Sequence, residues 1–265
     1  MNDRLCFEVH DNKGYFVFPD TWFGPLLGEF EEVLDAYDTD EISETGYINK
    51  LRRLAQHKIL AYNPEDNQGA RWLLGSELLR TGDHERAFSV LKKHADEFSP
   101  YWYELGLLHF LNGELVKAAT AFRRGFAANT YIAEMLCGNL HPFPLAVWHN
   151  YSAGPDTAED YYTTYSPLWG QYPEALLFVN WLYNHSSVLH ERAEIIKCAE
   201  MLMQEDDFEI CESILRQQKL LRERIDETLS EEIVQKCRNI NDEYVWPWIL
   251  PFSAAGMKHS SIQHQ

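Results

Sequence analysis

Between about Asn67 and Ala128 the alternation of apolar, small and polar positions is laid down twice. At an offset of 31 residues Leu74 falls on Leu105, Gly75 on Gly106, Leu79 on Phe110, Gly82 on Gly113, Asp83 on Glu114, Ala87 on Ala118 and Leu91 on Phe122. This spacing predicts a helix, a turn and a second helix, used twice. Gly75 and Gly106 remove side chains where the first helix meets its partner, and Ala87 and Ala118 do so from the second. Gly82 and Gly113 mark the turns, and Asp83 and Glu114 place acid at the positive end of the next helix.

The same reading extends in both directions. Residues 4–18 hold two short β-prone runs around Asp11, Asn12, Lys13 and Gly14, which predicts a small hairpin. Phe30, Val33, Leu34 and Tyr37 recur at helical spacing over residues 26–37, and Ile48, Leu51, Leu54 and Ile59 do so over 47–62. Residues 138–156 carry three Pro and two Gly and read as an ordered loop whose aromatic residues seek burial. Helices are expected again over 157–168, 173–183, 188–203, 208–225 and 230–237, with Pro173 in a first turn. Beyond Asn239 the prolines of YVWPWILPF end the helix, and Trp246, Trp248, Ile249 and Phe252 should pack back on the chain or hold a partner.

The Leu-Gly pair, the small residue twelve positions after the Gly and the apolar residue four later resemble the tetratricopeptide repeat: Leu74, Gly75, Ala87 and Leu91, then Leu105, Gly106, Ala118 and Phe122. The period is 31 where that family has about 34, and the aromatic expected three residues beyond the Gly is Leu78 or His109. A fainter resemblance, to bacterial repeat proteins related to the suppressor-of-tumorigenicity-seven family, covers residues 60–185. It rests on Asn63, Pro64, Asp66, Asn67, Gln68, Gly69, Leu136, Gly138, Tyr151, Ser152, Gly154, Ala158, Trp169, Pro173, Ala175 and Trp181.

The fold class expected is mainly α: an antiparallel helix-turn-helix, tetratricopeptide-like α-solenoid core with a small N-terminal β-hairpin. Residues 1–45 would hold the hairpin and an acidic helix, and 46–185 the repeat core, with clear units at about 67–98 and 99–129. Residues 186–265 would form a helical extension with an apolar tail packed on the core. Two units rarely bury a continuous core alone, so the flanking helices would act as caps.

Charge then narrows the function. Lys and Arg number 23 against 41 Asp and Glu, and a formal charge of −18 repels nucleic-acid phosphates and anionic lipid. The five cysteines are dispersed and include no C-x-x-C pair, which suits a reducing, cytoplasmic setting. No secretory signal pattern and no spanning apolar run is read, so no membrane role is expected. H-E-x-x-H, zinc-spaced Cys/His clusters, G-x-S-x-G and glycine-rich phosphate loops are all missing, so no catalytic residue, metal or cofactor is assigned. The cluster Asp66, Asn67, Gln68 reads as a helix cap.

The candidate surface is the concave face implied by the repeat resemblance: Trp72, Ser76, Leu79 and Arg80 in the first unit and Tyr103, Leu107 and Phe110 in the second. Lys50, Arg53 and His57, which share one helical face, would fringe it with positive charge. The function expected is a non-enzymatic scaffold or adaptor holding a protein or peptide partner there: an acidic or C-terminal peptide held by the aromatic planes and the cations, or a basic partner. Two alternatives stand beside it. The acidic block 29–44 would let the chain neutralise a basic protein in the manner of an immunity factor. An enzyme would be built around His141, His149, Tyr161, Tyr162, Tyr165 and Trp169.

Overall fold

The computed structural model describes residues 6–10, 13–17, nine positions between 32 and 50, residues 71–150 and residues 152–250. By its internal contacts the chain divides into two units, Met1–Val90 and Leu91–Gln265.

In the first unit, strands β1 (Cys6–His10) and β2 (Lys13–Val17) pair antiparallel with Cys6 opposite Val17 and His10 opposite Lys13. The expected hairpin is present, but Lys13 and Gly14 open the second strand instead of finishing the turn. Of the acidic helix expected over 26–37, Glu32, Asp35 and Ala36 are helical and the remaining positions lie outside the described residues, as do Asn63–Gly69. Helix α1 (Arg71–Arg80) is followed by α2 (His84–His94), which runs across the division. Gly82 joins them with φ +81°, and the N–H groups of Gly82 and Asp83 close onto Leu79 and Leu78 carbonyls at 3.0 and 2.9 Å. Only glycine takes that conformation without strain.

The second unit opens with α3 (Pro100–Leu111) and α4 (Leu115–Ala128), joined by the same turn: Gly113 has φ +75°, and Gly113 and Glu114 close onto Phe110 and His109 at 2.9 Å each. A Cβ on Gly106 would lie 2.6 Å from the Phe122 ring, so the glycine admits an aromatic of the partner helix. Gly125, whose role the sequence pattern does not show, answers from α4: its Cβ would lie 3.0 Å from the Tyr103 ring. The pairing of small and large residues therefore runs in both directions across one helix pair.

Helix α5 (Thr130–Leu136) begins at Asn129, whose side chain accepts from Tyr131 N–H at 3.0 Å and donates to the Ser152 and Gly154 carbonyls at 2.9 and 3.0 Å. The Tyr103 hydroxyl reaches the Asn129 carbonyl at 2.5 Å. Burial pushes that phenol well above its ordinary pKa, so it remains a donor. A third glycine turn, Gly138 with φ +99°, ends α5. The loop 139–154 follows, and here an expectation fails: Phe143 is 88% exposed, and Leu140 and Trp148 are exposed too. Prolines 142 and 144 deny the segment a helical or strand geometry that would turn those side chains inward.

Helices α6 (Pro155–Gly170), α7 (Pro173–Tyr183), α8 (Ser186–Gln204), α9 (Phe208–Glu223) and α10 (Glu227–Ile233) complete the unit. Phe122, Phe178 and Trp169 meet at its centre, with ring centroids 6.0 and 6.2 Å from Phe122. Helix α10 starts and ends earlier than the expected 230–237, because Asp226 caps it by accepting from Thr228 N–H at 2.9 Å. Cys237–Arg238 instead pairs with Tyr244–Val245 as strands β3 and β4. A 3-10 turn, Pro247–Ile249, then sets Trp248 against Phe178 and Trp181, with centroids 4.6 and 5.2 Å apart. The apolar tail thus packs back through Trp248 on α7, while Ile249 is exposed and Phe252 lies outside the described residues. Among the described residues no helix is long and apolar enough to cross a membrane.

Candidate functional site

The positions expected to line a concave face are placed as follows. In the first unit Ser76 and Leu79 are buried, Trp72 is half-buried, and Arg80 forms an ion pair with the buried Glu77 one turn earlier. Lys50 is exposed, and Arg53 and His57 lie outside the described residues. In the second unit Tyr103 and Leu107 are fully buried and Phe110 is half-buried against Phe178 at 5.4 Å. Tyr103 faces Gly125 and Asn129, so its ring and hydroxyl are committed to the core. Of the two histidines suggested for the loop, His141 is exposed and His149 bonds the Tyr131 hydroxyl through Nε2 at 2.7 Å. Among the described residues no three His, Cys, Asp or Glu side chains gather as a metal would require.

The second unit carries a different constellation, built on α4, α8 and α9. Arg123 and Arg124 are adjacent on α4 and point to different partners. Arg123 is 1% exposed and grips Glu191 of α8 with two bonds of 3.0 and 2.5 Å, while its remaining nitrogen reaches the Asp226 carbonyl and Ser230 hydroxyl at 2.7 and 2.8 Å. That fork is fully occupied and ties α4 to α8 and α10. Arg124 turns outward: its Nε donates to the Ile225 carbonyl at 3.1 Å, and the guanidinium lies 4.9 Å from the centre of the Trp102 ring.

Trp102 and Arg124 form one wall of a cleft of about 490 Å³, and Lys219, Arg222 and Ile225 form the other. Asp96 and Glu223 line it too, the latter 3.8 Å from Lys219 in an exposed pair, so three cations stand against two carboxylates. A smaller cavity of about 50 Å³ shares Ala127, Ala128 and Arg222 with the cleft. Arg192 of α8 also lines this cavity, and no Asp or Glu does. Arg192 is 8% exposed, rests 3.5 Å over the Tyr183 ring, and donates to Thr130 Oγ1 at 3.3 Å. Its Nε is buried without a hydrogen-bond partner, and so is the Nε of Arg222. Burial also draws the Arg222 pKa down from its ordinary value.

Trp102, Arg124, Arg192, Lys219 and Arg222 did not stand out in the sequence, where they are five unremarked members of four helices. The one available signal was the pair Arg123-Arg124 inside the otherwise apolar and small run AATAFRRGFAA, since neighbours on a helix point about 100° apart and a helix with so narrow a polar face turns one of them toward the core. Compared with protein-family models, curated proteins and solved structures, the chain matches none of them.

Proposed function

We propose that this chain is a non-enzymatic interaction protein, organised around a two-unit repeat of tetratricopeptide-like character, that captures an acidic segment of a protein partner in the cleft between α3, α4 and α9. The observation that carries this reading is the convergence of Arg124, Lys219 and Arg222 with the Trp102 ring on one concave surface, in a chain whose formal charge is −18. A locally basic and aromatic cleft on an acidic body selects its ligand by short-range contacts. Long-range repulsion from the rest of the surface is screened beyond about 8 Å at physiological salt, so a carboxylate already seated between the guanidinium groups feels them first. Arginine matches a carboxylate with paired donors, and Trp102 supplies a rigid apolar platform for the neighbouring side chain.

The partner surface moves from the face expected of the repeats to the cleft lined by α3, α4 and α9. It keeps the ligand chemistry of an acidic peptide, held by aromatic planes and cations. Fluorescence anisotropy with a labelled glutamate-rich peptide tests it. Saturable binding is expected, weakened about tenfold or more by Arg124→Gln with Lys219→Gln, because two charge-assisted contacts are lost. A lysine-rich peptide should not bind at that site. Failure of the acidic peptide to bind, or equal binding by the double variant, would overturn the proposal.

A further inference from the structure

The smaller cavity carries a second inference. We propose that it is a binding site for a small aliphatic carboxylate, held by the guanidinium groups of Arg192 and Arg222 against the apolar side chains around them.

Three observations converge. Arg192 and Arg222 both line one cavity, and the Nε of each is buried without a hydrogen-bond partner. A buried donor left without an acceptor is costly, and an anion at the same guanidinium offsets that cost. The wall contains no carboxylate, in a chain with 41 Asp and Glu. The other polar groups nearby are already engaged: Thr130 with Tyr183 at 2.8 Å, Tyr131 with Leu145 N–H and His149 at 2.9 and 2.7 Å, and Gln218 with the Ile195 carbonyl at 3.4 Å. What the cavity offers is therefore two cations, and what it lacks is a carboxylate.

Size and lining choose among anions. A water needs only about 10–15 Å³ of such space and a drug-sized ligand at least about 300 Å³, so about 50 Å³ suits a carboxylate with a short carbon chain. Phe126, Val147, Ile195 and Ile196 make most of the wall apolar, which fits an aliphatic tail and disfavours the heavily hydrated phosphate. The site also lies where the 139–154 loop meets α8, since Trp148 N–H bonds the Ala199 carbonyl at 3.0 Å and both residues line it. Filling it would fasten the loop to α8 and α9.

Arg222 lines both this cavity and the partner cleft, whereas Arg192 lines the cavity and not the cleft, so the Arg192 signal distinguishes the two sites. The test uses the full chain and follows its arginine Nε–H signals by nuclear magnetic resonance at constant ionic strength. Two signals, assigned through Arg192→Met and Arg222→Met, should move saturably with isobutyrate and remain still with isobutyramide. Inorganic phosphate should bind about tenfold or more weakly than isobutyrate, and Arg192→Met should lose the rise in melting temperature that isobutyrate gives the parent. Arg124→Gln with Lys219→Gln should leave the response unchanged, which separates this site from the cleft. Signals unmoved by isobutyrate, equal response to isobutyramide, or phosphate binding tighter than isobutyrate would each overturn the proposal. The parent titration decides the matter even if a methionine variant does not fold.

Discussion

Two buried arginine regions lie in the same helical unit and are built to opposite ends. At Arg123 every guanidinium nitrogen has an acceptor: Glu191 takes two bonds, and the Asp226 carbonyl and Ser230 hydroxyl share the third nitrogen. Arg192 and Arg222 line a cavity, and the Nε of each is buried without an acceptor. The first arrangement joins three helices. The second leaves a donor unpaired beside a mostly apolar cavity, a cost that an added acceptor would offset. Burial alone does not separate a structural charge from a binding charge; satisfaction does.

The comparison is broken most directly at Arg123. Arg123→Met leaves Glu191 without its partner and should cost about 3–5 kcal/mol in denaturant unfolding; a loss below about 1 kcal/mol would mean the fork is no lock. The next effect is steric. Gly106→Ala drives a methyl into the Phe122 ring and should cost about 1–3 kcal/mol, read as a lowered melting temperature. Gly125→Ala should cost less, because its Cβ meets the Tyr103 ring at 3.0 Å where Gly106 would meet Phe122 at 2.6 Å.

A smaller change is expected at the cavity. Without ligand, Arg222→Met removes a guanidinium whose Nε has no acceptor and should shift stability by less than about 1 kcal/mol in either direction. A cost equal to that of Arg123→Met would erase the distinction between the two regions. The slightest effect sharpens it through a neighbour. Burial pushes the Cys137 thiol up to about 12, and the nearby Arg192 charge pulls against that rise. At pH 8 Cys137 is therefore protonated and should alkylate orders of magnitude more slowly than a cysteine in a short peptide, by mass spectrometry of iodoacetamide-treated protein. Arg192→Met should slow it further; faster alkylation would show that the charge does not act on this thiol.

Much of the local architecture was legible without coordinates. The 31-residue repeat of Leu-Gly, Gly and Ala located four helices and the two glycine turns between them, and in α3 and α4 also the close contact at Gly106, because a glycine turn and a small residue at a helix contact each have a direct backbone or steric reason. Helix α7 begins and ends as its proline and apolar stripe predict. The β-bend 237–245 was missed because its strands have two residues each, too few to show alternation. The loop aromatics misled, since apolar character alone does not state which way a proline-bound segment turns its side chains.

The candidate site was scarcely legible at all. Arg124, Arg192 and Lys219 lie far apart in the chain, and nothing in their local patterns marks them as neighbours. Local order follows from sequence because 3.6-residue periodicity, turn glycines and caps act within a few residues. Which arginine finds a carboxylate and which is left facing a cavity depends on how α4, α8 and α9 pack. That choice was made only by the tertiary structure, where Arg123 meets Glu191 across 68 positions of chain and Arg192 meets the Tyr183 ring.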